Sequence, residues 1–397
     1  MTRNHRGVKI MTKISILLPV YNSTTKAERS DLLQQMLASI VNQSYADFEL
    51  LILDNQSEDN TVEICEAEAK KDGRIKVLAD DERRSAEEAT NKLLEMSTSE
   101  FIMVMSDDDL LHRDYLKILA KVAEVNKKTD LIYSNGLYID IQNKVQGRLI
   151  GNANGIYSSD SPDENFYKAI HKRIVLPVLF GLFKKSTYQA LMPNAPFDEL
   201  RANMDNFLMA KFFLNKYKAA FVNTDLFYYR QRDRSLKAEL LDYMPKNPIL
   251  IWVYYVRHQL YFYNAVCDVI NTTNQGECAL ALKITTLDSC LNQCLNLLNW
   301  VARDLAKDAF DHFMLSEIHR QYQPISGLAL PCFSHTPELI KTHQDTMRLR
   351  CKILQERVME PIKTMIQDIE LVVDTQKVIK AIQKEILKQQ NAQTHWL

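Results

Sequence analysis

Residues 101–111, FIMVMSDDDLL, constrain this chain more than any other stretch, because a mostly apolar run leads straight into Ser106 and three consecutive carboxylates, Asp107, Asp108 and Asp109. An apolar run that stops on acids reads as a buried strand delivering carboxylates to a loop. Three adjacent carboxylates repel one another, so a fold keeps them together most easily where a divalent cation or several hydrogen-bond donors offset the charge. Mg²⁺ and Mn²⁺ prefer such oxygen ligands, and both bridge phosphates. The competing reading is a solvated turn before a helix, since acids favour the first helical turn and LLHRDYLKILAKVAEV has helical spacing. Strand alternation carried through the acids would place Asp107 and Asp109 on one side.

The chain upstream supplies the context. ISILL at 14–18 is β-rich and reads as a strand closed by Pro19, with Tyr21 and Asn22 just beyond. Residues 29–43 carry apolar side chains at helical spacing. FELLILD at 48–54 reads as a second strand ending on Asp54, and the polar NQSEDN after it leads to a helix from Thr61. RIKVLA at 74–79 reads as a third strand, followed by a helix around AEEATNKLLEM and then the strand that ends in the aspartates. Alternating strands and helices predict an α/β fold with a mostly parallel sheet, whose carboxyl edge gathers Tyr21, Asp54 and the acids. Past residue 130 the sequence predicts a hairpin over DLIYSNGLYID and QNKVQGR, then a strand and short helix near IVLPVLFGLFKKS. Helical segments dominate from about Pro245.

Several function classes are excluded. Neither G-x-G-x-x-G nor G-x-x-x-x-G-K-[ST] occurs among nine glycines, which argues against dinucleotide oxidoreductases and Walker-type NTPases. A phosphate ligand would then depend on a metal rather than on a nest of backbone amides. A formal net charge of -1 gives no global preference for nucleic acid. Seven scattered cysteines do not form a disulfide framework, and Cys290 and Cys294 share a helix face without further thiols for zinc. The basic start MTRNHRGVKIMTK has no apolar signal core, and Met11 offers an alternative initiator, so a cytoplasmic protein is expected. Arg257, His258 and Gln259 interrupt the apolar stretch at 249–270, which predicts a packed amphipathic helix rather than a membrane span.

ISILLPVYN, LASIVNQSYADFELLILDNQSEDNT and FIMVMSDDDLLHRDYL together resemble the catalytic domain of family-2 glycosyltransferases, inverting enzymes with the GT-A fold. The likeness runs from about residue 14 to 235. It implies a GT-A nucleotide-sugar domain with a Rossmann-like sheet at 14–236, while composition and pattern mark a basic extension at 1–13 and an all-α C-terminal domain at 237–397. It also implies a nucleotide-sugar donor, usually a UDP-sugar, held with Mg²⁺ or Mn²⁺. A glycan or lipid-linked glycan acceptor follows, in bacterial surface polysaccharide or glycolipid synthesis.

Residue by residue, the resemblance implies that Pro19 and Tyr21 line the base pocket and that Asp54 accepts a hydrogen bond from the base. Asn91 matches the asparagine of the family's A-R-N segment, while Thr90 replaces its arginine. Aligned with the usual D-x-D-D, Ser106 stands at the first acid, Asp108 becomes the main metal ligand with Asp109 beside it as a second metal residue, and Asp107 lies near the ribose. FDELRANMDNFLMA matches the segment that opens the catalytic-base helix, with Met204 replacing its first acid and Asp205 kept as the base; an N-cap role for Asp205 is the structural alternative. FYYRQRDRS matches Y-R-x-H-x-x-S, with Arg232 in place of the histidine, so that Arg230 or Arg232 would clamp the diphosphate. One rival, a sugar nucleotidyltransferase, lacks its glycine-rich loop here, since Pro19 to Thr25 holds no glycine. The other, a non-catalytic scaffold, is motivated by Ser106, Met204 and Arg232 and opposed by the retained acids.

Beyond residue 237 only pattern speaks. Thr336, Pro337 and Glu338 predict a helix start. Ile362, Ile366, Ile369 and Val373, then Val378 or Ile379, Ile382 and Ile386, form an apolar stripe opposite Lys377, Lys380, Lys384 and Lys388. Two partners fit it: an anionic membrane surface, or another helix of this chain or of a second copy. Removing residues 376–397 is expected to leave donor binding intact and to change assembly or acceptor delivery.

Overall fold

A computed structural model describes residues 13–25, 31–150, 161–172, 176–192, 203–231, 248–273, 279–304, 337–360 and 369–393. The chain forms two compact units, interleaved in sequence. The first comprises Met1–Ala169, Ile174–Ala195 and Lys216–Asp233, and the second Ile170–Arg173, Pro196–Asn215 and Arg234–Leu397.

The first unit is built on a nine-stranded sheet. Its strands are β1 (Ile14–Val20), β2 (Phe48–Asp54), β3 (Ile75–Ala79), β4 (Phe101–Val104), β5 (Leu110–Leu111), β6 (Leu131–Ile139), β7 (Val145–Arg148), β8 (Leu182–Lys184) and β9 (Ala219–Arg230), in the order β3-β2-β1-β4-β8-β6-β9-β5, with β7 paired to β6. β1 to β4 run parallel because each connection is a helical crossover: α1 (Leu32–Val41), α2 (Thr61–Lys71) and α3 (Ala86–Met96). Beyond β4 the sheet becomes mixed. β8 joins antiparallel to both β4 and β6, the β6–β7 hairpin appears as its turn chemistry predicts, and β9 returns parallel to β6.

The core follows from composition. β2 is buried at every position and β1 at all but Pro19, as expected of strands covered on both faces. α1 buries Leu32, Leu33, Met36, Leu37 and Ile40, and α4 (Tyr115–Val125) buries Tyr115, Leu116, Leu119, Ala120 and Ala123. α3 starts on a capping box in which Ser85 Oγ accepts from Glu88 N and the Glu88 carboxylate accepts from Ser85 N. Pro19 lies within β1, opposite Leu53, instead of closing the strand after Leu18. Leu17 O accepts from Met105 N on the β4 side, so two residues on the missing Pro19 N–H faces the same side, where β4 has already ended.

The second unit is helical. Its long helices are Pro248–Thr272, Ala279–Asp304, Pro337–Ile353 and Ile369–Gln393, and it also includes Met204–Leu214. The helix expected after Thr336 begins at Pro337. Ile379, Ile382 and Ile386 are buried while Lys377, Lys380 and Lys384 are exposed, and the last helix packs on Pro248–Thr272 and Pro337–Ile353. The apolar stripe therefore finds its partner within this chain; Ile362 and Ile366 lie outside the described residues. The Arg350 guanidinium is buried against Asp288 and also donates to Asn292 Oδ1 at 2.8 Å. Among the described residues, no helix is long and apolar enough to cross a membrane. Cys290 and Cys294 are both buried and form no disulfide.

Candidate active site at the carboxyl edge of the sheet

The parallel register brings the ends of β1, β2 and β3 level, with Val20 beside Asp54 and Asp54 beside Ala79. The ladder continues past them through Asn55 N to Val20 O and Asp80 N to Asp54 O, each at 2.9 Å. Asp54 is only 4% exposed. Its Oδ2 accepts from Ser57 N at 3.1 Å, while its Oδ1 is buried and has no hydrogen-bond partner among the described residues. A buried carboxylate oxygen in that state is costly unless a donor meets it.

The loops around Asp54 are stitched to one another. Asn22, with φ of 47°, donates from its N–H to Ser57 Oγ at 2.9 Å and accepts from Glu58 N at 2.8 Å. Asp59 receives Thr24 N and Thr25 Oγ1 on one oxygen and Thr61 N and Thr61 Oγ1 on the other. Burial raises the Asp59 pKa, but these donors outweigh it and leave the pKa lowered to about 2. Beyond β3, Asp80 is buried between Arg84 at 2.7 Å and Lys92 at 2.9 Å, and Asn55 and Arg84 exchange two hydrogen bonds of 2.7 Å. Tyr21, 36% exposed, carries the Arg83 guanidinium 3.7 Å above its ring centroid. The edge thus presents an aromatic face and a cation beside the Asp54 acceptor. Asn91 lies half-buried on α3.

The acids occupy the turn between β4 and β5. Asp107 is half-buried, Asp108 buried, and Asp109 only 1% exposed. Both Asp109 oxygens receive protein donors, Oδ1 from Arg230 N at 2.8 Å and Oδ2 from Ser106 Oγ at 2.5 Å. Asp109 therefore stands as a scaffold inside the turn, while Ser106 Oγ also lies 3.2 Å from Asp108 Oδ1. Cys65 of α2 is buried. Burial first, and then the charges of Asp54 and Asp107, push its thiol up to about 12.

Arg230 ends β9 and is 2% exposed. Its Nε donates to Asp108 O at 2.7 Å, Nη1 to Asp140 O at 3.0 Å and Asn143 Oδ1 at 2.7 Å, and Nη2 to Gln35 Oε1 at 3.3 Å. The guanidinium is directed into the protein, so the sequence-based expectation of a diphosphate clamp does not describe its contacts here. Arg232 lies outside the described residues.

Asp205 sits in the first turn of Met204–Leu214, in the second unit. Asn203 is the N-cap of that helix, so Asp205 is not; its side chain is exposed. Among the described residues no group of three or more His, Cys, Asp or Glu is arranged to hold a metal ion. Carboxylates at Asp107 and Asp108 nonetheless suit a hard cation that takes one or two protein oxygens and completes its shell with substrate phosphates.

The sequence alone did not expose Asp59, Ser57, Ser23, Arg83 or the Asp80 cluster. Asp59 and Thr61, two residues apart, carry a readable turn signal. Ser23 Oγ, buried and without a partner among the described residues, carries none.

Residues 15–189 match the family model described as Glycosyl transferase family 2. The glycosyltransferase GlyG of Streptococcus pneumoniae is 25% identical over 249 residues, covering 56% of this chain and 72% of that protein. A Campylobacter jejuni protein named as a GalNAc(5)-diNAcBac-PP-undecaprenol beta-1,3-glucosyltransferase is 30% identical over 114 residues, covering 28% of this chain and 35% of that one. Among solved structures, S. aureus TarS 1-349 in complex with UDP matches in fold with a TM-score of 0.54 at 14% identity, covering 94% of this chain and 92% of that one. The same segment of TarS with UDP-GlcNAc gives 0.53 at 14% identity, again covering 94% and 92%. With its βαβ order, carboxyl-edge site and acid turn in place, the matched segment, residues 15–189, is similar to the GT-A catalytic domain of glycosyl transferase family 2.

Proposed function

We propose that this chain is an inverting transferase moving a sugar from a UDP-sugar to a hydroxyl of a glycan or lipid-linked glycan. The observation that carries the donor is Asp54 Oδ1, a buried acceptor at the strand edge beside Tyr21. Uracil offers its N3–H as the matching donor, whereas cytosine and the purine adenine present an acceptor at the corresponding ring nitrogen. Pro19 and Tyr21 line the base, Asn91 helps hold the donor, and Arg232 pairs with the diphosphate, since Arg230 is committed to protein acceptors. Asp108 would hold Mn²⁺ or Mg²⁺, with Asp107 toward the ribose. Such a cation, when bound, offsets the charge that develops on the departing diphosphate.

Asp205 is the proposed general base. It takes the proton of the acceptor hydroxyl as the new bond from that oxygen to the anomeric carbon forms on the face opposite the nucleotide. The bond to the phosphate oxygen breaks with its electrons leaving on UDP, and the configuration inverts. The named product chemistry of the Campylobacter relative, an undecaprenol-linked glycan, supports a lipid-linked acceptor. That acceptor would place the protein on the cytoplasmic side, in peripheral contact with the membrane.

The test is UDP release from UDP-GlcNAc, UDP-glucose and UDP-galactose with Mn²⁺, for the full chain and for Asp205→Asn. The variant is expected to keep UDP affinity within about twofold and to lose about 10²- to 10⁴-fold in turnover. Near-normal turnover would remove Asp205 as base. Release from none of the donors, with no UDP binding, would overturn the donor reading.

A further inference from the structure

The turn between β4 and β5 holds three carboxylates, yet its cation comes from 121 residues away in sequence, at the end of β9. Arg230 reaches it twice, through its peptide N–H to Asp109 Oδ1 and through Nε to Asp108 O. A guanidinium has five N–H groups, and four acceptors surround this one: Asp108 O, Asp140 O, Asn143 Oδ1 and Gln35 Oε1. Burial lowers the Arg230 pKa while the charges of Asp108, Asp109 and Asp140 raise it, and arginine keeps its proton at any working pH. Its positive charge therefore stays behind the acids permanently. Ser106 completes the bracket from the front, with its hydroxyl on Asp109 and Asp108.

We propose that Arg230 is a positioning residue for the acid turn. It fixes the Asp108 backbone from behind, so that the Asp107 and Asp108 carboxylates are held for the donor's metal-diphosphate group, and it offsets part of their repulsion without touching the donor. The fixed fork of the guanidinium suits this role, because one planar group ties the acid turn to the β6–β7 turn and to α1 at once. Gln35 and Asn143 lie at the far end of that tie, in the wall of an open groove of about 680 Å³. Asn143 is exposed and also donates to Gln35 Oε1 at 3.1 Å. This end can be altered without opening the core. Asn143 has φ of 65°, so glycine is the replacement that removes its side chain while keeping the backbone.

The inference rests on the UDP-sugar reading only for its second readout. The first is hydrogen exchange on the ligand-free full chain, for wild type, Arg230→Lys, Arg230→Ala and Asn143→Gly. Peptides covering 105–111 are expected to exchange at least about tenfold faster in Arg230→Ala and more modestly in Asn143→Gly, with 48–54 unchanged. Lysine, which keeps the charge without the fork, should recover only part of the protection. Unchanged exchange at 105–111 in both Arg230 variants overturns the proposal. So does faster exchange spread equally over 48–54, which marks general loosening.

The second readout is titration with UDP plus Mn²⁺ beside titration with uridine alone. Arg230→Ala is expected to weaken the first by about tenfold or more and to leave the second within about twofold. Equal losses for both probes, or none for UDP plus Mn²⁺, count against positioning. Should wild type bind neither probe, the donor reading falls while the exchange result still decides the role of Arg230. Should Arg230→Ala fail to fold, Asn143→Gly must show the local exchange change, and its absence overturns the proposal.

Discussion

Replacing Asp54 by asparagine tests the base site most sharply, because the structure dictates which way the new amide must point. Asp54 Oδ2 accepts from Ser57 N, and only the oxygen of an asparagine can keep that bond. The amide nitrogen then falls where Oδ1 was, turning the buried acceptor into a donor facing the base. A uracil N3–H would meet another N–H. The loss comprises a hydrogen bond to a charged group, worth about 1.5–3 kcal/mol, before any cost of two opposed donors. UDP affinity should therefore fall by roughly 10- to 150-fold, taking 1.4 kcal/mol per factor of ten. Cytosine presents an acceptor at N3, so CDP should gain relative to UDP in the same variant. Calorimetric titration of wild type and Asp54→Asn with UDP and CDP measures both changes, and a thermal melt confirms that the variant is folded. UDP binding within twofold of wild type, in a folded variant, would refute the claim that Asp54 reads the base; a fall in UDP without relative gain for CDP would refute the amide orientation.

Arg350→Met should destabilise the helical unit by about 3–5 kcal/mol, because it leaves Asp288 buried without its cation, and adding Asp288→Leu should recover much of that loss; urea denaturation followed by tryptophan fluorescence reads both. Glu49 is expected to make folding pH-dependent: burial raises its pKa, but hydrogen bonds from Ser15, Lys76 and Thr98 outweigh this and lower it from 4.5 to about 2. A depressed carboxylate stabilises above its unfolded pKa and loses that contribution as pH falls from about 4.5 toward about 2, here on the order of 2 kcal/mol given the exposed Lys76 partner, so the stability gap between wild type and Glu49→Gln should close over that interval. Truncation after Thr375 removes Ile379, Ile382 and Ile386 from the helical core, at about 1.5–3 kcal/mol for each buried side chain, and should unfold the second unit while the first still binds UDP. A truncated chain that retains the full melting profile of wild type would contradict that burial.

What the sequence disclosed follows the reach of each physical signal. Strand and helix periods are local, and they placed β2, α3 and the ends of β1 to β4 within a residue or two, because apolar runs there alternate with capping and turn residues. The convergence of Tyr21, Asp54 and the acids was legible because parallel βαβ units allow only one edge for strand ends. Pairings between residues distant in sequence left no local mark. Arg230 reads equally well along the chain as a phosphate ligand or as a buried tie, and its contacts with Asp108 O, Asp140 O and Asn143 Oδ1 leave no mark in the sequence. The same holds for Arg83 over Tyr21, since neither residue signals the other along the chain. Mixed pairing beyond β4 was hidden for another reason. Strands as short as Leu182–Lys184 and Leu110–Leu111 are too brief for a period to show direction.

The helix Met204–Leu214 belongs to the second unit, although the chain on either side of Pro196–Asn215 belongs to the first. It lies in the chain between β8 and β9. A surface helix of a globular protein is usually apolar on one stripe and polar on the other. MDNFLMAKFFL is apolar nearly all round, with Phe207, Leu208, Met209, Ala210, Phe212, Phe213 and Leu214 all buried, and such a helix needs cover on more than one side. Within the second unit, Pro248–Thr272 packs directly on it. The first turn stays open enough to leave Asp205 exposed, next to buried Met204, which stands where the family's first acid would be. A second carboxylate at a buried position would carry a desolvation cost that methionine avoids. The departure at Met204 therefore fits a helix sealed into the second unit, with Asp205 exposed in its first turn.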